Sequence, residues 1–211
     1  MKLVFGLFIG IFAFPFYAQQ SFESVTIGDQ TWMVENLNVV AFRNGDEIPE
    51  VIDQEEWLMA EETGQPAWCY YSNDADNGKT YGVLYNWHAV NDSRGLAPEG
   101  WHVASEEEWE ELEFYLLDIN NENINEQLKS KIGWDSKLGG SNSSGFNALP
   151  GGQRKVCGAF DFIGQDAQWW TSTGDDDYGS IAKGVGELQD DNMKTYYSAK
   201  HEGMYVRCVK D

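Results

Sequence analysis

The sequence predicts an α+β domain in which two helices come early and short strands joined by many loops follow. Three observations predict it. A well-capped amphipathic helix starts at Ser105. The β-forming runs before and after it are short and bounded by Gly, Asn and Asp. Aromatic residues make up 14% of the 211-residue chain, nine of them Trp, which argues for a packed core despite the acidic charge.

Residues 1–18 read as a secretory signal. Lys2 gives the positive start, residues 3–14 the apolar stretch, and Phe16-Tyr17-Ala18 before Gln19 the cleavage point. The apolar run is short for a membrane span and Pro15 interrupts it. No cysteine stands at the cleavage point to carry a lipid, and no later stretch is long and apolar enough to span a bilayer. Residues 19–211 are therefore expected as one exported domain, secreted, cell-surface associated or periplasmic, with no membrane insertion once the signal is removed.

Within that domain, Val25-Thr26-Ile27-Gly28-Asp29-Gln30-Thr31-Trp32-Met33-Val34 has the pattern of a β-hairpin with glycine first in its two-residue turn. Residues 44–65 are acidic and polar; a short helix within 50–62, carrying Trp57 and Leu58, reads as decoration. Ala67-Trp68-Cys69-Tyr70-Tyr71 reads as a strand and residues 72–79 as a loop of Asn, Asp and Gly. Residues 81–90 have the content of a buried segment that is either strand or helix. In the central helix, Ser105 and Glu108 form a capping box, Ala104 and Trp109 a small hydrophobic staple, and three glutamates suit the positive end of the dipole. Trp109, Leu112 and Leu116 form its apolar stripe, and it stops near Asp118. A second helix is expected within 122–130, with Ile124 and Leu128 on one side. Short strands follow around 157–163, 168–172, 181–188, 193–197 and 205–209. No repeat and no long linker divides the chain.

The formal net charge is −21, from 14 basic and 35 acidic residues. Such a field repels phosphate and anionic lipid, so nucleic acid is excluded as a partner. Solubility of an exported protein explains the charge more simply than an acidic binding surface. The cysteines Cys69, Cys157 and Cys208 allow one disulfide and one free thiol in an oxidising compartment, with three pairings open.

Six separated stretches occur in order: Thr26-Ile27-Gly28-Asp29-Gln30-Thr31-Trp32-Met33, Tyr81-Gly82-Val83-Leu84-Tyr85-Asn86-Trp87, Pro98-Glu99-Gly100-Trp101-His102-Val103, Ser144-Gly145-Phe146-Asn147-Ala148-Leu149-Pro150-Gly151-Gly152, Trp169-Trp170-Thr171-Ser172-Thr173 and Val206-Arg207-Cys208-Val209-Lys210-Asp211. Together they resemble the Fibrobacter succinogenes major paralogous domain, a module of exported bacterial proteins, many from Bacteroidota. The resemblance covers essentially the whole chain after the signal. It implies a C-type-lectin-like fold, related to the formylglycine-generating domains, with two short helices, an antiparallel sheet and many loops. It implies no reaction. Against the family's pattern, residues 44–66 look like an insertion, Ala104 stands where proline is common, and Ala97 stands where members often carry a cysteine. In a lectin-like layout that cysteine would staple the first helix to the terminal strand, which leaves Cys208 without its usual partner.

Candidate chemistry is sparse. His102, between Trp101 and Val103, reads as a hydrogen-bonded structural residue; His88 and His201 have no metal-ligand spacing. Asp74, Asp76, Asp190 and Asp191 are the calcium candidates, but none of their runs completes an EF-hand loop and the lectin sugar signature is missing, so they read as solvated loop residues. A glycosidase needs two carboxylates facing one ring, which geometry alone decides. The copper-binding cysteine pair of formylglycine-generating enzymes has no match. The tryptophans read mainly as core, Arg154 and Arg207 as donors to buried carbonyls or carboxylates, and Gly145, Gly151 and Gly152 as turn requirements. The expectation is a non-catalytic lectin-like module without a cofactor, binding a glycan or an extracellular protein through residues 72–79, 135–147 and 173–195. The rivals are a carbohydrate-active hydrolase and a structural subunit of a surface assembly. The fold reading depends on interior positions for Trp101, Trp109 and Trp170, and on pairing of the last strand with the N-terminal hairpin.

Overall fold

The computed structural model describes residues 21–120, 123–135, 139–175, 179–186 and 192–211. The expected signal at 1–18, and Asp190 and Asp191, lie outside the described residues. The chain opens with the expected hairpin of β1 (Ser24–Ile27) and β2 (Gln30–Met33). Gly28 turns it with φ +61°, a left-handed value that glycine takes without a Cβ penalty.

The helix α1 (Gln54–Glu62) begins where Asp53 accepts the amide hydrogens of Glu55 and Glu56. Its segment is not decoration. Ile48, Val51, Trp57 and Ala60 are buried, and Arg154 donates to the carbonyls of Val51, Ile52 and Asp53 while lying 4.3 Å from the Trp57 ring. The anchors come from a residue about a hundred positions away, so local composition hid them.

The expected strand at 67–71 shortens to β3 (Trp68–Cys69), because the chain tightens at once into a turn at Tyr71–Asn73 with Ser72 and Asn73 left-handed. The expected loop at 72–79 is largely a helix, α2 (Ala75–Tyr81). Its polar composition has local causes: Asp74 caps the helix, Asp76 pairs with Lys79 at 2.6 Å, and the Tyr70 ring occupies the place a Cβ on Gly78 would take. The segment at 81–90 resolves into both alternatives, β4 (Leu84–Tyr85) and α3 (Trp87–Val90). Asn86 separates them, its Oδ1 accepting from the amides of Ala67 and Ala89.

After β5 (Trp101–Val103) comes the central helix α4 (Glu106–Asn120), two residues longer than expected. Its capping box is formed: the Ser105 amide donates to Glu108 at 2.8 Å and the Glu108 amide to Ser105 Oγ at 3.3 Å. Trp109, Leu112 and Leu116 are buried. The expected second helix is α5 (Ile124–Leu128). The described residues thus hold five α-helices: the two main ones expected, the short helix expected within 50–62, one of the two alternatives open at 81–90, and the unforeseen α2, the last three set by side-chain caps.

The remaining strands are β6 (Gly151–Arg154), β7 (Phe160–Ile163), β8 (Ala167–Asp175), β9 (Gly179–Val185), β10 (Lys194–Ser198), β11 (Tyr205–Val206) and β12 (Cys208–Lys210). One sheet runs β1-β2-β12-β5, the larger β10-β9-β8-β6-β7, and β3 pairs with β4. The large sheet is not wholly antiparallel: β6 and β11 both run parallel to β8. The tail strand β12 places Val209 opposite both Trp32 and His102, so it pairs with the N-terminal hairpin as the sequence requires.

The two larger sheets and α4 meet in an aromatic cluster. The Trp109 ring is 4.6 Å from Trp32 and stacks on Trp169 at 5.3 Å; Phe146 lies edge-on to all three at 5.6 Å. Trp101 and Trp170 are buried too. Such ring pairs add about 0.5–1.5 kcal/mol each beyond their buried area. Cys69, Cys157 and Cys208 are all unpaired; Cys69 and Cys208 are buried and Cys157 exposed.

His102 clamps three segments. Its Nε2 lies 2.6 Å from Glu108 Oε1 in the first turn of α4, and its Nδ1 lies 2.8 Å from Asp211 Oδ1 beyond β12. Partial burial opposes the charged ring, but the hydrogen bonds to Glu108 and Asp211 outweigh it and raise the imidazole above its ordinary value. Burial likewise opposes the Glu108 carboxylate, and bonds from Ser105 and His102 outweigh that and lower it. A raised imidazole stabilises fully below its unfolded value of about 6.5 and stops contributing as pH rises through the folded value. A lowered carboxylate stabilises above its unfolded value and stops contributing as pH falls. The clamp therefore acts most strongly between the ordinary carboxylate and imidazole values. His102→Gln is expected to cost about 1 kcal/mol at pH 5.5, a figure held low by solvent screening of a 41% exposed side chain. At pH 8.5 the cost should be smaller. Urea unfolding at the two pH values checks this; an equal loss at both would contradict it.

Candidate functional site

The strands β6, β7, β8 and β10 present a groove of about 760 Å³ on the large sheet, within the size range of ligand sites. Gln153 of β6 and Gln168 of β8 are buried in its floor, and Phe162 of β7, Lys155, Tyr196 of β10, Asp166 and Glu202 line its sides. Strand alternation sorts the residues. On β8, Trp169 turns to the aromatic cluster, and its neighbour Gln168 projects from the opposite face. On β10, Lys194, Tyr196 and Ser198 share one face by the same period.

The floor contains an unsatisfied acceptor. Gln153 is 7% exposed, and its Oε1 has no hydrogen-bond partner among the described residues. A buried amide oxygen without a donor costs about 1–3 kcal/mol, so a ligand hydroxyl or amide N–H that draws the Gln153 amide round into the groove would recover that cost. The neighbouring Gln168 amide is only weakly engaged, donating to Asp166 Oδ2 at 3.4 Å.

The wall is strained. Phe162 adopts φ +66°, unusual for a bulky residue. Opposite it Gly152 is also left-handed at +68°, where a Cβ would lie 2.3 Å from the Asp161 carbonyl oxygen. Asp161 holds the strained turn, accepting from the Phe162 amide at 2.9 Å and from Lys155 at 3.2 Å, and the Lys155 ammonium sits 4.6 Å from the Phe162 ring. Backbone outliers of this kind cost about 1–3 kcal/mol and gather at binding sites. On the same side, burial pushes the Glu202 carboxyl above its ordinary value, with Ser198, His201 and Lys155 opposing.

Among the described residues, the three segments expected to share one face border different hollows. Gly186 and Lys194 from 173–195 line the groove. Gly78 and Lys79 from the first segment and Asn147 from the second instead border a separate hollow of about 80 Å³ beside Asn36 and Arg207. Asp74 is occupied as a helix cap and Asp76 in its pair with Lys79. Among the described residues no three His, Cys, Asp or Glu side chains cluster as metal ligands. His88 bonds Glu61 at 2.8 Å, and both nitrogens of His102 are engaged. Eight of the nine tryptophans are buried; Trp134 is half-buried and donates to Ser130 and Ala148. The groove's aromatic surface is thus Phe and Tyr, not Trp.

Sequence reasoning missed Gln153, Gln168 and Glu202. Gln168 carried a signal, as the polar neighbour of two tryptophans on an alternating strand. Gln153 carried none, because its missing partner is a property of the assembled sheet.

No helix among the described residues is long and apolar enough to cross a membrane. No curated protein and no solved structure is significantly similar to the chain. Residues 25–210 match the family described as the Fibrobacter succinogenes major domain. The six landmark stretches converge on the features above, supplying Trp32, Tyr85, Trp101, Phe146, Trp169 and Arg207 to the interior. The chain belongs to the Fibrobacter succinogenes major domain family.

Proposed function

We propose that the chain is an exported, non-catalytic binding module of C-type-lectin-like architecture that holds a glycan in the groove over β6, β8 and β10. The architectural reading is supported by the closure of the N-terminal hairpin with the tail strand and by the loop-rich second half. The function rests on one observation: the buried, unpartnered Gln153 Oε1 in a groove that also offers amides, carboxylates, an ammonium and aromatic faces. Side-chain amides and carboxylates match vicinal hydroxyls, while aromatic rings pack on the C–H faces of a sugar. The acidic field suits a neutral or cationic glycan in preference to an anionic one.

A hydrolytic reading is favoured by one feature. Asp166 and Glu202 line the same groove, and the burial-raised Glu202 carboxyl has the character of a proton donor. Release of reducing ends from a bound glycan, lost in Glu202→Gln, would replace the binding reading with this one.

The direct experiment is a glycan-array screen of the exported form, with calcium and then with chelator, followed by titration of the best glycan against Gln153→Leu. The variant should fold with equal or greater stability, by up to about 1 kcal/mol, since it deletes an orphan acceptor. It should bind the glycan at least tenfold more weakly. Absence of any glycan binding in both conditions, or unchanged affinity in Gln153→Leu, would overturn the assignment.

A further inference from the structure

The helix α4 buries Trp109, Leu112 and Leu116, yet its outer face is also apolar. Phe114 is 71% exposed, and Tyr115, Leu117 and Ile119 are exposed as well. Phe114 and Leu117, three residues apart, lie side by side on the solvent side of the second half of the helix with Tyr115 flanking them, whereas Ile119, seven residues from Leu112, lies at the edge of the buried stripe. Phe114, Tyr115, Leu117 and Asp118 bound a shallow depression of about 600 Å³. The Tyr115 ring is pinned against the hairpin turn: a Cβ on Gly28 would approach it to 3.0 Å. The surface thus has one rigid edge.

Charge selects the occupant. Glu107, Glu110, Glu111 and Asp118 are exposed on the same side, and α4 contains no Lys or Arg. No basic residue stands in its last turn, where Asp118 faces the negative end of the helix dipole. A second copy would bring these carboxylates against their own equivalents, and an anionic membrane would be repelled by the same charges. A segment with apolar and cationic residues on one face meets both requirements, filling the apolar depression while its Lys or Arg side chains neutralise the flanking acids.

We infer that the outer face of α4 is a docking surface for a basic, amphipathic helical segment of a partner protein, independent of the groove. The test uses a fluorescein-labelled 18-residue amphipathic Leu/Lys peptide and an equally charged Ser/Lys peptide, with anisotropy titrations of the full domain in 0.15 M NaCl. The wild type should bind the Leu/Lys peptide at least tenfold more tightly than the Ser/Lys peptide. Phe114→Ser/Leu117→Ser, shown by circular dichroism to be folded, should lose that tenfold preference. Glu110→Gln/Glu111→Gln should weaken both peptides and flatten the salt dependence. Equal binding of the two peptides, or an unchanged preference in the serine variant, overturns the inference. So does a concentration-dependent dimer in sedimentation that the serine variant abolishes, since the face would then belong to a second copy.

Discussion

Arg207 carries its positive charge into the centre of the molecule, and the structure is arranged around satisfying it. The side chain is 1% exposed. Its guanidinium donates to the carbonyls of Met33, Val34, Phe146 and Asn147 and to Asn36 Oδ1, and it lies over the Phe146 ring at 4.4 Å. Burial pulls its pKa down to about 9, so it remains charged at neutral pH. The acceptors run from the end of β2 at Met33 into the irregular chain beyond it and the loop before β6. The residues after β2 and the loop before β6 acquire fixed positions because one planar fork bonds both. Asn36 Oδ1 also accepts from Trp169 Nε1 at 2.8 Å, which couples the arginine to the aromatic cluster.

The same device recurs. The chain has four arginines, Arg43, Arg94, Arg154 and Arg207; three fasten irregular backbone through its carbonyls, and Arg94 joins two loops through their carboxylates. Arg43 donates to the carbonyls of Ala97, Pro98 and Trp101, Arg154 holds the segment before α1, and Arg94 bonds Asp46 and Asp92 while covering Phe42. A domain with short strands leaves many carbonyls outside the ladders, and buried carbonyls need donors. Arginine supplies five in one rigid group. The acidic surface and the arginine-bound interior are therefore separate features, one serving solubility and the other backbone closure.

Local chemistry was readable from sequence where it is self-contained. The Ser105–Glu108 capping box, the Gly28 turn and the Trp109–Leu112–Leu116 stripe each depend on residues within a few positions of one another. Arg154 and Arg207 were readable as structural donors, with carbonyl and carboxylate acceptors both open until the structure placed them on carbonyls. What failed was mostly set by partners distant in sequence. Residues 72–79 have loop composition, but Asp74 and Gly78 are there for a cap and a ring contact, so helix α2 was missed. Residues 44–66 look like surface, but Arg154 and Trp57 bind them into the core. The parallel pairings of β8 with β6 and β11 leave no trace in alternation patterns. The groove was least legible of all, since an orphaned Gln153 oxygen exists only after five strands have come together.

The central claim is that the fork of Arg207, not merely its charge, holds these segments together. Urea unfolding of Arg207→Lys tests it most directly, because lysine keeps the cation and cannot span four carbonyls and an amide. The account predicts a loss of at least about 3 kcal/mol, the cost of several buried acceptors left without donors. A lysine variant within about 0.5 kcal/mol of the wild type, with an unchanged slope against denaturant, would contradict it.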